Sequence, residues 1–203
     1  MPRPGLAPYD PRWSQRGVDL ADTVATALAS LLPGDDPGVE HIGSTSVPGL
    51  PAKPFIDLQA AVSPLPEDVA LVELLSPLGF RREAGARPDS PGVHRDTPRW
   101  ETTAPAAVWH KSLFTLGDPL LAGAVILHVR RAESPWAVWA VAFRDWLRAH
   151  PDERDRYAAV KSRLMAADTE SPDFDDYTRA KTAYFDEVEP RVMLWWQSRT
   201  PDV

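Results

Sequence analysis

The chain has 203 residues, 43% of them apolar and 25% charged, with a formal charge of −7. That length holds one substantial domain, or a domain with a helical extension, and the composition excludes wholesale disorder. The acidic excess is spread over both halves, so no basic arm offers a general grip on nucleic acid. The absence of cysteine excludes disulfides and thiolate metal sites. Met1–Gly5 has no apolar signal region, and the longest clean apolar run, Ala137 to Phe143, is too short to span a bilayer; the expectation is a soluble cytoplasmic protein without a membrane partner.

Residues 1–11 read as an extended, proline-rich lead-in. A helix follows from Arg12 to about Leu32, with Val18, Ala21, Ala25, Leu28 and Leu32 as its apolar stripe. Prolines, glycines and acids at 33–38 end it. A short strand at Val39–Ile42, a turn bracketed by Gly43 and Gly49, and a second strand from Phe55 to Val62 come next. Ser63–Asp68 starts a helix reaching about Pro77, with Val69, Val72, Leu75 and Leu78 at helical spacing; Gly79 stops it before a short strand at Phe80–Arg82. Residues 84–98 are rich in Gly, Pro, Asp and Arg and read as a mobile surface loop. It is either idle or a flap whose Arg87, Arg95 or Arg99 closes on a phosphate; His94 within it reads as solvated. Trp100–Thr103, Trp109–Leu116 and Gly123–Arg131 read as three further strands.

From Ser134 and Pro135 the period changes from two to 3.6, with Ser134 as cap and Pro135 in the first turn. Trp136, Trp139, Ala140, Phe143, Trp146 and Leu147 form a wide aromatic stripe suited to core packing. A second helix restarts at His150–Pro151 and runs to about Ala167. A third runs from Ser171–Phe174 to about Trp196, with Pro190 as its kink position. The pattern is α+β, divided into an α/β core over 1–133 and a C-terminal helical lobe over 134–203 that packs on it.

The turn is the chemically dense stretch. Gly43 can take φ > 0 and admit a ligand to the backbone. Ser44, Thr45 and Ser46 bring three hydroxyls beside backbone N–H groups, the chemistry of a phosphate cradle. Asp57 lies in the apolar run Phe55–Val62, where a carboxylate needs a partner: a metal ion, backbone donors or an arginine. Gln59, two residues on, shares its face. His128 and Arg130 share a face of the Gly123–Arg131 strand, and Lys111 shares one with Trp109, Leu113 and Thr115. Tyr157–Lys161 and Tyr177–Lys181 are each i,i+4 pairs; the plainer reading makes both lysines solvated.

The run from His41 to Leu58, HIGSTSVPGLPAKPFIDL, resembles the signature of the GrpB family, a branch of the nucleotidyltransferase-like superfamily. Leu127-His128-Val129, Phe143-Arg144-Asp145-Trp146-Leu147-Arg148 and the two Tyr–Lys pairs are similar to the rest of that family, so the resemblance runs from about Tyr9 to about Phe185. It implies a nucleotidyltransferase-like mixed sheet flanked by helices. In that superfamily a Gly-Ser turn holds nucleotide phosphates, a D-x-D/E pair on the next strand binds two Mg²⁺, and a third carboxylate lies on a neighbouring strand. Gly43–Ser44 and Asp57 match, Gln59 stands in the second acidic position, and a third acid is not evident. The resemblance implies phosphate contacts from His41, Gly43, Ser44, Thr45, Ser46, Lys53, Lys111, Arg130, Lys161 and Lys181. It places Mg²⁺ or Mn²⁺ at Asp57 and Gln59, and gives Asp57 and His128 catalytic roles, His128 as ligand or general base.

Two functions follow as expectations. One is metal-dependent nucleotidyl transfer from a nucleoside triphosphate to an acceptor; a CoA-like acceptor is suggested by the family's occurrence fused behind dephospho-CoA kinase. The alternative is a non-catalytic module that binds a nucleotide or phosphorylated metabolite, which Gln59 favours because a neutral amide is a poor Mg²⁺ ligand. A third reading is an interaction protein docking through tryptophans such as Trp195 and Trp196.

Overall fold

The structure is a computed structural model that describes residues 5–32, 37–85, 88–90, 92–98, 103–118, 122–167 and 175–199. Helix α1 (Arg12–Leu28) starts after Pro11, and the Asp10 carboxylate accepts from the Arg12 amide at 2.9 Å, satisfying one of the free N–H groups of the first turn. Its buried stripe is Trp13, Gly17, Ala21, Val24 and Leu28. The expected stripe is displaced by one residue in the first turns: Val18 is 51% exposed, because the His41 ring occupies the helix surface at Gly17. The helix ends four residues early, and the turns after it still bury Leu32.

The five-stranded sheet has the order β1 (Val39–Ile42), β2 (Ile56–Val62), β5 (Val125–Arg131), β4 (Lys111–Leu116), β3 (Arg81–Arg82). β2 and β5 pair in parallel and the other neighbours antiparallel. The segment before β4 forms a 3-10 turn over Ala106–Trp109 where strand is expected. The strand expected over Trp100–Thr103 falls almost wholly outside the described residues, as do Arg87 and Arg99.

Side-chain alternation gives the sheet two unlike faces. Ile56, Leu58, Ala60, Val62, Phe114, Val125, Leu127 and Val129 pack under α1 and α2 (Asp68–Leu75) as the main core. In α2 the buried residues are Leu71 and Leu75, while Val69, expected inside, is 70% exposed. The opposite face carries Asp57 and Gln59 from β2, His128 and Arg130 from β5, and Lys111 from β4.

Beyond the sheet come α3 (Pro135–Ala149), α4 (Pro151–Ala167), α5 (Asp175–Ala180) and α6 (Thr182–Arg199). Pro135 sits in the first turn of α3 as expected, but Ser134 makes no side-chain cap. The last expected helix is interrupted at Lys181, while Pro190 lies inside α6. Trp139, Ala142, Trp146, Leu147, Tyr157, Tyr184, Val188 and Val192 form a second core. Trp139 and Phe143 stack at 5.2 Å, so the aromatic stripe is packing surface. Val47 and Leu50 of the turn belong to this core, which seats the helices on the turn. Among the described residues no helix is long and apolar enough to cross a membrane.

Candidate functional site

The turn after β1 is a single 3-10 turn over Ser44–Ser46, entered through Gly43 at φ 73°. A side chain at Gly43 would be blocked twice: by that left-handed conformation and by Asp57, whose Oδ2 would lie 2.3 Å from an added Cβ. Gly43 thus lets the turn close directly onto Asp57 of β2.

The three hydroxyls part company. Thr45 Oγ1 donates to Phe55 O at 2.8 Å and lies 3.0 Å from His41 Nε2. Its only proton goes to Phe55, so His41 is the donor in the second bond and carries its proton on Nε2. Ser46 Oγ donates to Gly43 O at 2.5 Å. Thr45, Ser46 and His41 are buried and hold the turn in shape. Burial, then Arg148 and Arg144, pushes the His41 pKa down to about 4, so the ring is neutral. Ser44 alone of the three is only half-buried, and it lies beside the Tyr157 hydroxyl of α4.

The C-terminal helices clamp the turn through its carbonyls. Arg144 Nη1 donates to His41 O at 3.0 Å, Arg148 donates twice to Ser46 O at 3.0 and 2.8 Å, Arg154 reaches Pro48 O at 3.4 Å, and Lys161 Nζ donates to Pro51 O at 2.5 Å. Arg144 also pairs with Glu40 at 2.5 Å and Asp145 at 2.8 Å. These contacts give Arg144 a structural role.

Behind the cleft lies a buried polar network. Lys111 Nζ is 2.9 Å from Asp96 Oδ1 and 2.9 Å from His128 Nδ1, and Arg130 Nε is 3.2 Å from Asp96 Oδ2. Arg130 Nη1 donates to Gln59 Oε1 at 2.7 Å, and Gln59 Nε2 donates to Ala137 O at 2.9 Å. Because Lys111 donates to Nδ1, His128 keeps its proton on Nε2. Burial, then Lys111 and Arg130, holds its pKa well below the usual value. Its free lone pair is therefore occupied, which removes the feature a general base needs.

Asp96 carries no sequence signal, since it sits among prolines and charges in the stretch read as a mobile loop. Its described residues are instead tied down. Arg95 bridges His110, the Asp96 amide donates to Trp109 O at 2.7 Å, Ser90 donates to Asp175 at 2.6 Å and Arg179 pairs with Asp89 at 2.8 Å. The described residues of the segment thus tie the sheet to α5.

Asp57 lies at the floor of this cleft, half-buried. Burial pushes its carboxyl up to about 6, against the pull of Lys181, Lys53 and Lys111. Lys181, at the break between α5 and α6, stands over the Tyr177 ring at 5.0 Å, and Lys53 stands over the same ring at 4.0 Å. Lys161, 2% exposed, stands over Tyr157 at 5.0 Å. Burial, then Lys181, lowers its pKa to about 7. Of the expected site residues, the structure brings Gly43, Ser44, Asp57, Lys53, Lys161 and Lys181 to one cleft. Gln59, His128, Lys111 and Arg130 form its back wall, and His41, Thr45 and Ser46 support it from within.

The donor set does not fit the divalent cation that the resemblance implies. Gln59 Oε1 is taken by Arg130, Asp96 is taken by Lys111 and Arg130, and His128 Nδ1 is taken by Lys111. Among the described residues no group of three or more His, Asp or Glu is placed to hold a metal ion.

The fold defines an α+β domain with a mixed five-stranded sheet and a helical C-terminal portion. The GrpB protein family model matches residues 3–191, and the chain belongs to the GrpB family. It is 35% identical to a UPF0157 protein of Pseudomonas aeruginosa, over 93% of this chain and 65% of that one. It is 32% identical to a dephospho-CoA kinase of Mycolicibacterium paratuberculosis over 95% of this chain, and spans 47% of that longer protein. A crystal structure of conserved protein GrpB from Enterococcus faecalis superposes with a TM-score of 0.61 at 26% identity, covering 94% of this chain and 99% of that one.

Proposed function

We propose that this protein binds a phosphorylated small molecule, a nucleotide or a CoA-like compound, in the cleft between the Gly43–Ser44 turn and the C-terminal helices. The observation that carries the reading is the convergence of Lys53, Lys161 and Lys181 beside Ser44 and Asp57, with Lys111 behind them, in a chain of net charge −7. Local positive charge against an acidic whole is the arrangement an anion pocket needs. Tyr157 and Tyr177 add two buried rings to the same walls, suited to an organic portion of the ligand. The name dephospho-CoA kinase belongs to the longer mycobacterial relative and is the reason to include dephospho-CoA among the compounds tested.

A thermal-shift series with nucleoside triphosphates, CoA and dephospho-CoA, each with and without Mg²⁺, tests the reading. A ligand at about 100 times its Kd adds ~2.7 kcal/mol, or roughly 5–10 °C for a chain of this size. The expected result is a rise with at least one compound that is lost in Lys181→Met. No rise with any of them rejects the reading. Nucleotidyl transfer, the finer activity implied by the resemblance, would register as metal-dependent release of pyrophosphate from a triphosphate.

A further inference from the structure

We infer that the cleft takes its anion without a metal ion, as a di- or oligophosphate held directly by Lys53 and Lys181, with the charge of Lys161 behind them and Asp57 as their counter-charge and not a metal ligand. The inference rests on the phosphorylated-ligand reading and adds how the charge of that ligand is met.

Three observations lead to it. First, the side chains that would complete a metal site are engaged elsewhere. Gln59 is 2% exposed with both ends of its amide bonded, and Asp96 lies between two cations. Second, Asp57 makes no side-chain hydrogen bond and no ion pair within 4.0 Å to a described residue; burial acts on it first, and then the charges of Lys181, Lys53 and Lys111. A divalent cation beside one carboxylate and three ammonium groups meets more repulsion than attraction. Third, the charge of Asp57 acts on Lys181 although no ion pair within 4.0 Å joins the two among the described residues, and the inference places the oxyanion between them. Lys181 lies at the break between α5 and α6.

The inference fixes the sign of one substitution. In a metal site, Asp57→Asn removes the ligand that anchors the cation, and phosphate binding falls with it. In a lysine site, Asp57→Asn removes a negative charge from beside an anion, and binding tightens.

The experiment is calorimetric titration of the full chain with inorganic pyrophosphate, in EDTA and then in Mg²⁺. It compares the parent protein, Asp57→Asn and Lys181→Met, each first shown to melt cooperatively. The expected result is binding in EDTA that Mg²⁺ leaves unchanged or weakens, tightened about three- to tenfold by Asp57→Asn and weakened tenfold or more by Lys181→Met. Binding that needs Mg²⁺ and disappears in Asp57→Asn overturns the inference and leaves the phosphorylated-ligand reading standing. Absence of binding to all three proteins in both buffers overturns the inference too; the reading itself then falls only if the nucleotide and CoA series is also blank.

Discussion

Gly17 lies against the imidazole of His41 so closely that a methyl group at its Cα would stand 2.1 Å from Nδ1. The contact joins α1 to the strand that leads into the turn, and His41 passes the support on through Thr45 to Phe55. An exposed helical glycine replaced by alanine usually gains up to about 1 kcal/mol. Here Gly17→Ala should instead lose about 1–3 kcal/mol, the range for overpacking a filled interior. A urea titration checks it; a higher midpoint in the variant would refute the contact.

Asp96 holds two buried cations at once. Asp96→Asn leaves Lys111 and Arg130 without an anion and should cost about 3–5 kcal/mol, the range for breaking a buried pair from one side. Adding Lys111→Met should recover part of that loss, since one stranded charge goes with it. A double-mutant cycle by chemical denaturation measures the coupling; additive losses would mean the two groups do not interact.

Anion binding should strengthen as the pH falls from about 8 to about 6. Lys161 gains its charge through about 7 and Lys111 through about 8, while Asp57 loses its charge through about 6. All three changes favour an anion, and His128 stays neutral throughout. Sulfate keeps a constant charge over this window and makes the comparison clean. Its affinity should rise about five- to tenfold, with net proton uptake seen as buffer-dependent heat. A flat profile would remove Lys161 and Asp57 from the ligand's surroundings.

Lys161 also sets a pH dependence in the empty protein. Burial lowers its pKa from 10.5 to about 7, so the folded state holds this proton less tightly than the unfolded chain. Stability is therefore lost as pH falls from about 10.5 toward about 7. Lys161→Met should flatten this slope. Near neutral pH it should raise stability by roughly 2 kcal/mol, after allowance for the Pro51 carbonyl left without its donor. Denaturation midpoints at several pH values decide it, and unchanged slopes would contradict the burial argument.

Gln59→Glu should not create metal-dependent turnover. The new carboxylate would meet Arg130, already 2.7 Å from the native Oε1, and the donor to Ala137 would be gone. Pyrophosphate release from triphosphates with Mg²⁺ is the measurement; a gain would show that Arg130 yields its partner to a cation.

Elements with strong local punctuation were readable from the sequence. Gly79 takes φ 86° where the second helix was expected to stop, and Lys111 lies opposite Arg130 in the β4–β5 register. What failed was the phase of marginal helices. Val18 and Val69 satisfy helical spacing yet face solvent, because helix phase is decided by what lies beneath: for α1 the His41 ring at Gly17, for α2 the buried pair Leu71 and Leu75. The turn was visible as a dense stretch of hydroxyls, but which hydroxyl is only half-buried depends on His41 and Phe55, contacts that spacing does not encode. Asp96 was invisible for the same reason, since its partners lie on β4 and β5, and nothing local separates it from a solvated aspartate.

The clamp of Arg144, Arg148, Arg154 and Lys161 on the carbonyls of 41, 46, 48 and 51 spans 102 to 110 residues of sequence. During synthesis the turn therefore leaves the ribosome long before the cations that hold it. For that interval the chain has the residues of the turn without their geometry, and contacts of such long range are slow to form. The turn's final geometry is among the last features to be completed, so a chain cut before α3 should lack it outright and not hold a weakened form of it.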